Sequence, residues 1–287
     1  MRRFVLLAAT LTVVSAPAAD ASQLIDRNAS AVTLAVNAEG EALLTYRAGG
    51  ESKRVLAWGA VNAVAPARGK QQVEFKLDYS GGSGTFGGSC GGYDGPALAW
   101  KVTACKAPDG SFWALQAWQR ALPNYGLVPS PVQAVWELRL SHWTGETAEL
   151  TIKTDWAYRR FDHLYGSLTY RDGGVFGFRS TRFGVPLDAF GRNVYVDTFD
   201  SAYGPGWKRE NSFLTHRRGG TFCYGFYPHG SRPAGRGAKY RATVIGPGVT
   251  PDVLWEGPGA GAYDRAADQA ANEEQRGAYR DGVCKVN

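Results

Sequence analysis

From residue 31 to residue 246 apolar and polar residues alternate at nearly every second position, interrupted by glycine. That two-residue period marks strands with one face buried. Val32, Leu34 and Val36 share a face, a turn spans 37–41, Ala42, Leu44 and Tyr46 follow, and Gly49-Gly50 turns the chain into an apolar run over 55–58. Together these predict a three-strand meander. A second hairpin places Ala134, Trp136, Leu138 and Leu140 on one face and Val135, Glu137, Arg139 and Ser141 on the other. After a turn at Thr144-Gly145-Glu146, the inward pattern resumes with Ala148, Leu150, Ile152 and Thr154, so one face of this hairpin is expected to be buried and the other wet. Further strands are predicted over 73–79, 98–104, 111–120, 164–170, 175–178, 194–199, 221–227 and 239–245. Many short strands without intervening helices predict an all-β fold. An antiparallel β-sandwich is expected, with jelly-roll topology as one option and a barrel as the alternative closure.

One helix is predicted, over 262–276, with Tyr263, Ala266, Ala267, Ala270 and Ala271 as its buried stripe. The chain shows no internal repeat, and residues 22–287 read as a single large β-sandwich domain. The stretch 123–131, bounded by Pro123 and Pro131, is the place where two lobes could divide.

The first 21 residues read as a signal peptide: Arg2 and Arg3, an apolar run over 4–14, and the small-x-small site Ala19-Asp20-Ala21, with Ala16-Pro17-Ala18 as a competing site. The mature chain then begins near Ser22. The apolar run is about half the ~20 residues that span a bilayer, and no later segment is long enough, so no transmembrane segment is expected. A secreted, extracellular, bacterial protein follows from this leader. Four cysteines, Cys90, Cys105, Cys223 and Cys284, suit oxidising surroundings. They allow three pairings. Cys90 with Cys105 is favoured by the short loop and the turn at Pro108-Asp109-Gly110, which leaves Cys223 with Cys284. No Cys-x-x-Cys or Cys-x-x-His spacing occurs, so no metal is expected.

With 44% hydrophobic and 20% charged residues, the 287-residue chain has an ordinary globular composition, which excludes collagen-like, coiled-coil and wholly disordered classes. Several short patterns invite a catalytic reading and lack its context. Gly82-Ser83-Gly84-Thr85-Phe86-Gly87 fits the dinucleotide fingerprint but is followed by Gly88-Ser89-Cys90-Gly91-Gly92, which cannot open the helix that binds a pyrophosphate; no cofactor is expected. The same loop places Ser89 in a Gly-x-Ser-x-Gly elbow, again without the following helix. Four histidines, His142, His163, His216 and His229, are available to any triad, and Asp162-His163 are neighbours that a strand would send to opposite faces. Asp197, Asp200 and Glu210 are the best carboxyls for glycan hydrolysis, which needs one acid and one base across the scissile bond. The tripeptide Glu137-Leu138-Arg139 resembles the arginine-bearing strand motif of jelly-roll alginate lyases; that family's Gln-x-His motif and tyrosine-rich C-terminal motif are absent from this chain.

Charge changes the picture more than any motif. The formal net charge is +6, and the span 208–241 holds Lys208, Arg209, Arg217, Arg218, Arg232, Arg236, Lys239 and Arg241 against Glu210 alone, a balance of +7. Trp207, Phe213, Phe222, Tyr224, Phe226, Tyr227 and Tyr240 interleave with these cations. Aromatic rings stack on sugars while cations hold carboxylate or phosphate. The leading expectation is a secreted, non-catalytic binding protein for an anionic polysaccharide or cell-envelope polymer, with nucleic acid disfavoured by export. Its contact residues are Trp207 and Tyr227 as stacking platforms, Lys208, Arg209, Arg217 and Arg218 as anion ligands, and His216 as a pH-sensitive donor. Two alternatives remain open: a polysaccharide lyase or glycoside hydrolase, and a structural or protein-interaction module. Internal neutralisation competes with binding, because residues 251–287 carry a balance of −3 and the second disulfide would tie them beside the basic span.

Overall fold

The computed structural model describes residues 22–62, 73–82, 85–120, 122, 135–157, 161–171, 173–174, 179–180, 186–187, 194–210, 215–216, 221–228, 231, 233–244 and 250–279. Their strands pair antiparallel throughout, and the predicted all-β, sandwich-like class with one C-terminal helix is what forms. Two sandwiches follow one another along the chain.

The first lobe comprises β1 (Gln23–Arg27), β2 (Ser30–Val36), β3 (Ala42–Ala48), β4 (Glu51–Gly59), β5 (Phe75–Asp78), β6 (Gly91–Gly92), β7 (Lys101–Lys106), β8 (Phe112–Trp118) and β9 (Glu137–Trp143). One sheet runs β2-β3-β4-β5, and the other runs β1-β9-β8-β7-β6. The predicted meander supplies the first of these, with Leu44 opposite both Leu34 and Val55. Val36, Leu44, Tyr46 and Val55 pack against Trp113, Leu115, Leu138 and Leu140 of the facing sheet. Each such aliphatic side chain contributes about 1.5–3 kcal/mol on full burial. The Cys90–Cys105 disulfide forms, with the Cα atoms 5.7 Å apart, and pins the glycine-rich loop to β7. Cys223 is also disulfide-bonded; Cys284 lies outside the described residues.

The second lobe comprises β10 (Glu149–Ala157), β11 (Phe161–Tyr170), β12 (Gly173–Gly174), β13 (Arg179–Ser180), β14 (Pro186–Leu187), β15 (Val194–Ser201), β16 (Gly204–Arg209), β17 (Thr215–His216), β18 (Thr221–Gly225), β19 (Lys239–Val244) and β20 (Val253–Pro258). Its sheets run β10-β11-β18-β17, with β12 on β11, and β16-β15-β19-β20; β13 and β14 pair separately. Ile152, Leu164 and Leu168 face Val196, Ala242 and Val244 across this core, and Phe226 stacks on Tyr240 with ring centroids 4.2 Å apart.

Four sequence expectations need correction. Strands β9 and β10 do not form a hairpin: the chain crosses from one lobe to the other between Trp143 and Glu149. All seven residues of β9 are buried, including the face expected to be wet, where Ser22 lies over Arg139 and the second lobe's Asp252 lies over the paired residues Gln116 and Trp118 of β8. Trp136 precedes β9 and is 50% exposed rather than inward. The helix α1 (Arg265–Tyr279) is capped by Asp264, whose carboxylate accepts from the amides of Ala266 and Ala267, but it is turned from the expected stripe. Ala266 and Ala270 are exposed while Asp268 and Ala271 are buried. Asp268 tolerates burial because the Tyr263 hydroxyl and the Asn272 amide donate to it. The helix lies against β10, where Glu274 pairs with Lys153 at 2.6 Å and accepts from the Tyr165 hydroxyl. The predicted strand 175–178 and the candidate lobe boundary 123–131 lie outside the described residues.

The seam between the lobes is polar and buried. Gln116 exchanges two hydrogen bonds with the backbone of Asp252, the Trp118 indole donates to the Asp252 carboxylate at 2.8 Å, and the Ser22 hydroxyl donates to its other oxygen at 2.6 Å. On the same face Arg139 donates to Glu137 and to the Ser22 carbonyl. Arg120 adds a second cation to Glu137 at 3.0 Å. Buried charges persist where each has hydrogen-bonded partners, and here they fix how the sandwiches meet.

Candidate functional site

Strand alternation sorts β15 into two faces. Val196 and Thr198 point into the second sandwich, whereas Tyr195, Asp197 and Phe199 point outward from the sheet. Register brings Arg209 of β16 and Arg241 of β19 to either side of Asp197 on that outward face. Arg209 Nε donates to Asp197 Oδ1 at 2.5 Å, and Arg241 donates to Oδ2 through Nη2 at 2.8 Å and Nε at 3.1 Å. Two guanidinium groups on one carboxylate leave one unit of positive charge in excess. Such charge-assisted bonds are strong and directional, so the trio is rigid.

Aromatic rings complete the arrangement. The Arg209 guanidinium lies 4.0 Å from the Tyr195 ring centroid, and that of Arg241 lies 4.2 Å from Trp207 and 5.7 Å from Trp100. Trp100 stacks on Trp118 at 4.8 Å, and Trp118 meets Tyr195 edge-on. The rings therefore come from both lobes, and each cation sits over a π face. Phe199 packs beside Trp207 at 5.2 Å. At the rim, Lys239 is 57% exposed, 3.9 Å from the Glu256 carboxylate. The helix α1 sits on the other sheet of this sandwich, so its acidic residues do not cover this face.

The predicted contact residues fall in different places. Trp207 is half-buried on the outward face, beside Arg241. Arg209 is 3% exposed and bound by Asp197 and the Arg120 carbonyl, so it is an interior arginine rather than a surface anion ligand. Lys208, one position along the strand, turns to the inner side opposite Thr198 and is half-buried. Tyr227 follows β18 on the facing sheet, where its hydroxyl meets His163 Nε2 at 2.5 Å and its ring packs edge-on to Phe161. His216 lies on β17 opposite Phe222, and Arg217 and Arg218 lie outside the described residues. Tyr195, Trp100 and Trp118 were not singled out from the sequence, Asp197 was named only as a candidate hydrolytic carboxyl, and Lys239 and Arg241 only as members of the basic span. For Tyr195 the available signal was its i, i+2 spacing with Asp197 and Phe199 on a predicted strand.

A second polar cluster closes one end of the same sandwich. Asp162 accepts from the Tyr240 hydroxyl and pairs with Arg236 at 3.3 Å, and Arg236 covers the Trp156 ring at 4.4 Å. Burial, with the adjacent Asp162 charge, drives the Tyr240 phenol far above its ordinary range. Glu210, fully buried, accepts from the Tyr224 hydroxyl at 3.2 Å. Its pKa is pushed up to about 8 by burial, against hydrogen bonds from Tyr203, Tyr224 and the Gly235 backbone that pull it down.

This geometry separates the carboxyls offered for glycan cleavage. Asp197 and Glu210 leave opposite faces of one sheet, the first neutralised by two arginines and the second enclosed in the core. Asp200 accepts the Gly206 amide within the β15–β16 turn, a conformational role. Other apparent motifs also resolve into structure. The Ser89 amide and hydroxyl both donate to the Val36 carbonyl, tying the glycine-rich loop to β2. His142 bonds the Gly59 carbonyl and Ser111 Oγ, stacks on Trp113 at 3.8 Å, and has its pKa lowered by burial. Ser111 and His142 are 1% and 4% exposed, with no approach for a substrate carbonyl. Among the described residues no group of three His, Cys, Asp or Glu could hold a metal ion, and no helix is long and apolar enough to cross a membrane.

Comparison with known proteins found no match for this chain among protein-family models, curated proteins or solved structures.

Proposed function

We propose that this chain is an exported protein that binds an anionic polymer, an acidic polysaccharide or an envelope polymer, without turnover, on the outward face of β16-β15-β19-β20. The observation that carries this reading is the rim of that face, where the exposed Lys239 stands on the same side of β19 as Arg241, whose guanidinium lies over Trp207. A flat sugar ring stacks on indole, while a carboxylate or sulfate on the same residue reaches Lys239 and the edge of Arg241. Among the described cations of the span 208–241, Arg236 and Lys239 have carboxylate neighbours in Asp162 and Glu256, which offset part of its balance of +7.

A hydrolase or lyase reading is less well supported, because the carboxyls named for it do not converge. The test is equilibrium binding of the purified protein to acidic and neutral polysaccharides across a salt series. Retention on acidic polymers that weakens steeply with salt supports the proposal. Failure to bind any acidic polymer at low salt, or release of new reducing ends or unsaturated products, overturns it.

A further inference from the structure

The glycine-rich loop between β5 and β6 borders a cavity in the first lobe, away from the face assigned above to a polymer. On β4, Val55 and Ala57 enter the core, so Arg54 and Leu56 point out from the sheet β2-β3-β4-β5. The loop lies against that outer face at both of its ends. Gly81, with φ +78°, leaves no room for a Cβ beside Arg54, and a Cβ on Gly88 would rest 3.4 Å from Ala35. Two further ties hold it: the Ser89 amide donates to the Val36 carbonyl at 2.7 Å, and the Cys90–Cys105 disulfide joins it to β7. The cavity measures about 740 Å³, within the range of small-molecule sites, and Leu56 and Phe86 give it an apolar lining.

Charges of opposite sign line this cavity without pairing. Arg54 comes from β4, and the turn between β2 and β3 supplies Glu39 and Glu41. Arg54 and Glu39 are exposed, and neither has an ion-pair partner among the described residues. Glu41 is half-buried and held in place: its Oε2 accepts the Asn37 side-chain amide at 2.9 Å, and its backbone amide donates to Asn37 Oδ1 at 2.8 Å. Register sets Arg54 opposite Thr45, four residues along the chain from Glu41. At a strand's rise, about 13 Å therefore separates the level of the cation from that of the carboxylates.

The geometry points to a binding site for a short peptide of dipeptide length with both termini free. Its carboxylate meets Arg54, its ammonium meets Glu39 and Glu41, and an apolar side chain lies against Leu56 and Phe86. An extended dipeptide is about 7 Å long and, with a hydrogen bond of roughly 2.8 Å at each end, reaches across about 13 Å. A guanidinium accepts a carboxylate through two parallel bonds, whereas an ammonium is a compact charge that suits a carboxylate pair. Because the loop is tied at both ends, its wall stands before the ligand arrives, which lowers the cost of ordering it. The site shares no residue with the outward face of the second lobe, so either assignment can fail without the other.

The experiment is calorimetric titration of the full chain at pH 7 and low salt with three probes: alanylphenylalanine, its N-acetylated form and its C-terminal amide. The free dipeptide is expected to bind, and blocking either terminus should weaken binding at least about tenfold, since each block removes a hydrogen bond between charged groups. Arg54→Gln, at an exposed position where folding is retained, should bind the free dipeptide and its amide equally, because the partner of the carboxylate is gone. That loss of discrimination is a coupling between one side chain and one ligand group, which a general weakening of the protein does not reproduce. No binding of the free dipeptide up to about 10 mM, equal affinity for free and blocked forms, or an Arg54→Gln protein that still prefers the free carboxylate would each overturn the assignment.

Discussion

Glu210 gives the sharpest energetic prediction. Its carboxyl is enclosed by the second sandwich, near the Tyr224 hydroxyl and against Gly235, and its folded pKa stands at about 8 against an ordinary 4.5. The folded state therefore holds the proton more tightly than the unfolded state, and the associated stability is complete below about pH 4.5. It is lost as pH rises and levels off above about 8. At about 1.4 kcal/mol per pH unit, the loss is on the order of 4–5 kcal/mol over the whole window and roughly 3 kcal/mol by pH 7. The Glu210→Gln protein retains the shape and an acceptor for the two tyrosines but has nothing to ionise. Urea unfolding between pH 4 and pH 9 should give similar midpoints for the two proteins at the acid end. At pH 8.5 the glutamine variant should be more stable by several kcal/mol. Curves that stay parallel across that range would refute the argument, because they would mean that the folded chain carries the Glu210 charge without penalty.

Replacing both Cys90 and Cys105 by serine should lower unfolding stability by about 3 kcal/mol, the loop-closure contribution of a 15-residue separation, as read by denaturant melts. Arg139→Met removes the buried partner of Glu137 and the donor to the Ser22 carbonyl, and should cost about 3–5 kcal/mol by the same assay. Gly166→Ala puts a methyl group against the Thr151 carbonyl where β10 and β11 pair; a loss of about 1–3 kcal/mol is expected in thermal unfolding.

The strands that were legible are those whose own residues alternate. The meander β2–β3–β4 buries mainly one set of side chains against a facing sheet, so the two-residue period appears directly in the sequence. Strands β1, β16 and β20 went unseen. β16 begins Gly204-Pro205-Gly206, which carries no pattern, β20 is half-exposed along most of its length, and β1 is a short piece beside the leader. The crossing between lobes was hidden for another reason: Glu137, Arg139 and Ser141 look like a solvent face, and only tertiary packing buries them against Ser22 and Asp252. The site was half legible. Basic and aromatic enrichment pointed to β16 and β19 of the candidate face, but local sequence could not show that Asp197 claims Arg209, nor that Trp100 and Trp118 arrive from the first lobe.

The most direct measurement is the affinity for an acidic polysaccharide at low salt of two variants, Lys239→Glu and Trp207→Ala, against the unaltered protein, with thermal midpoints recorded alongside. The account predicts that each variant stays folded and loses at least tenfold in affinity, about 1.4 kcal/mol or more. Unchanged affinity in both variants, with folding intact, would contradict the assignment of this face as the binding surface.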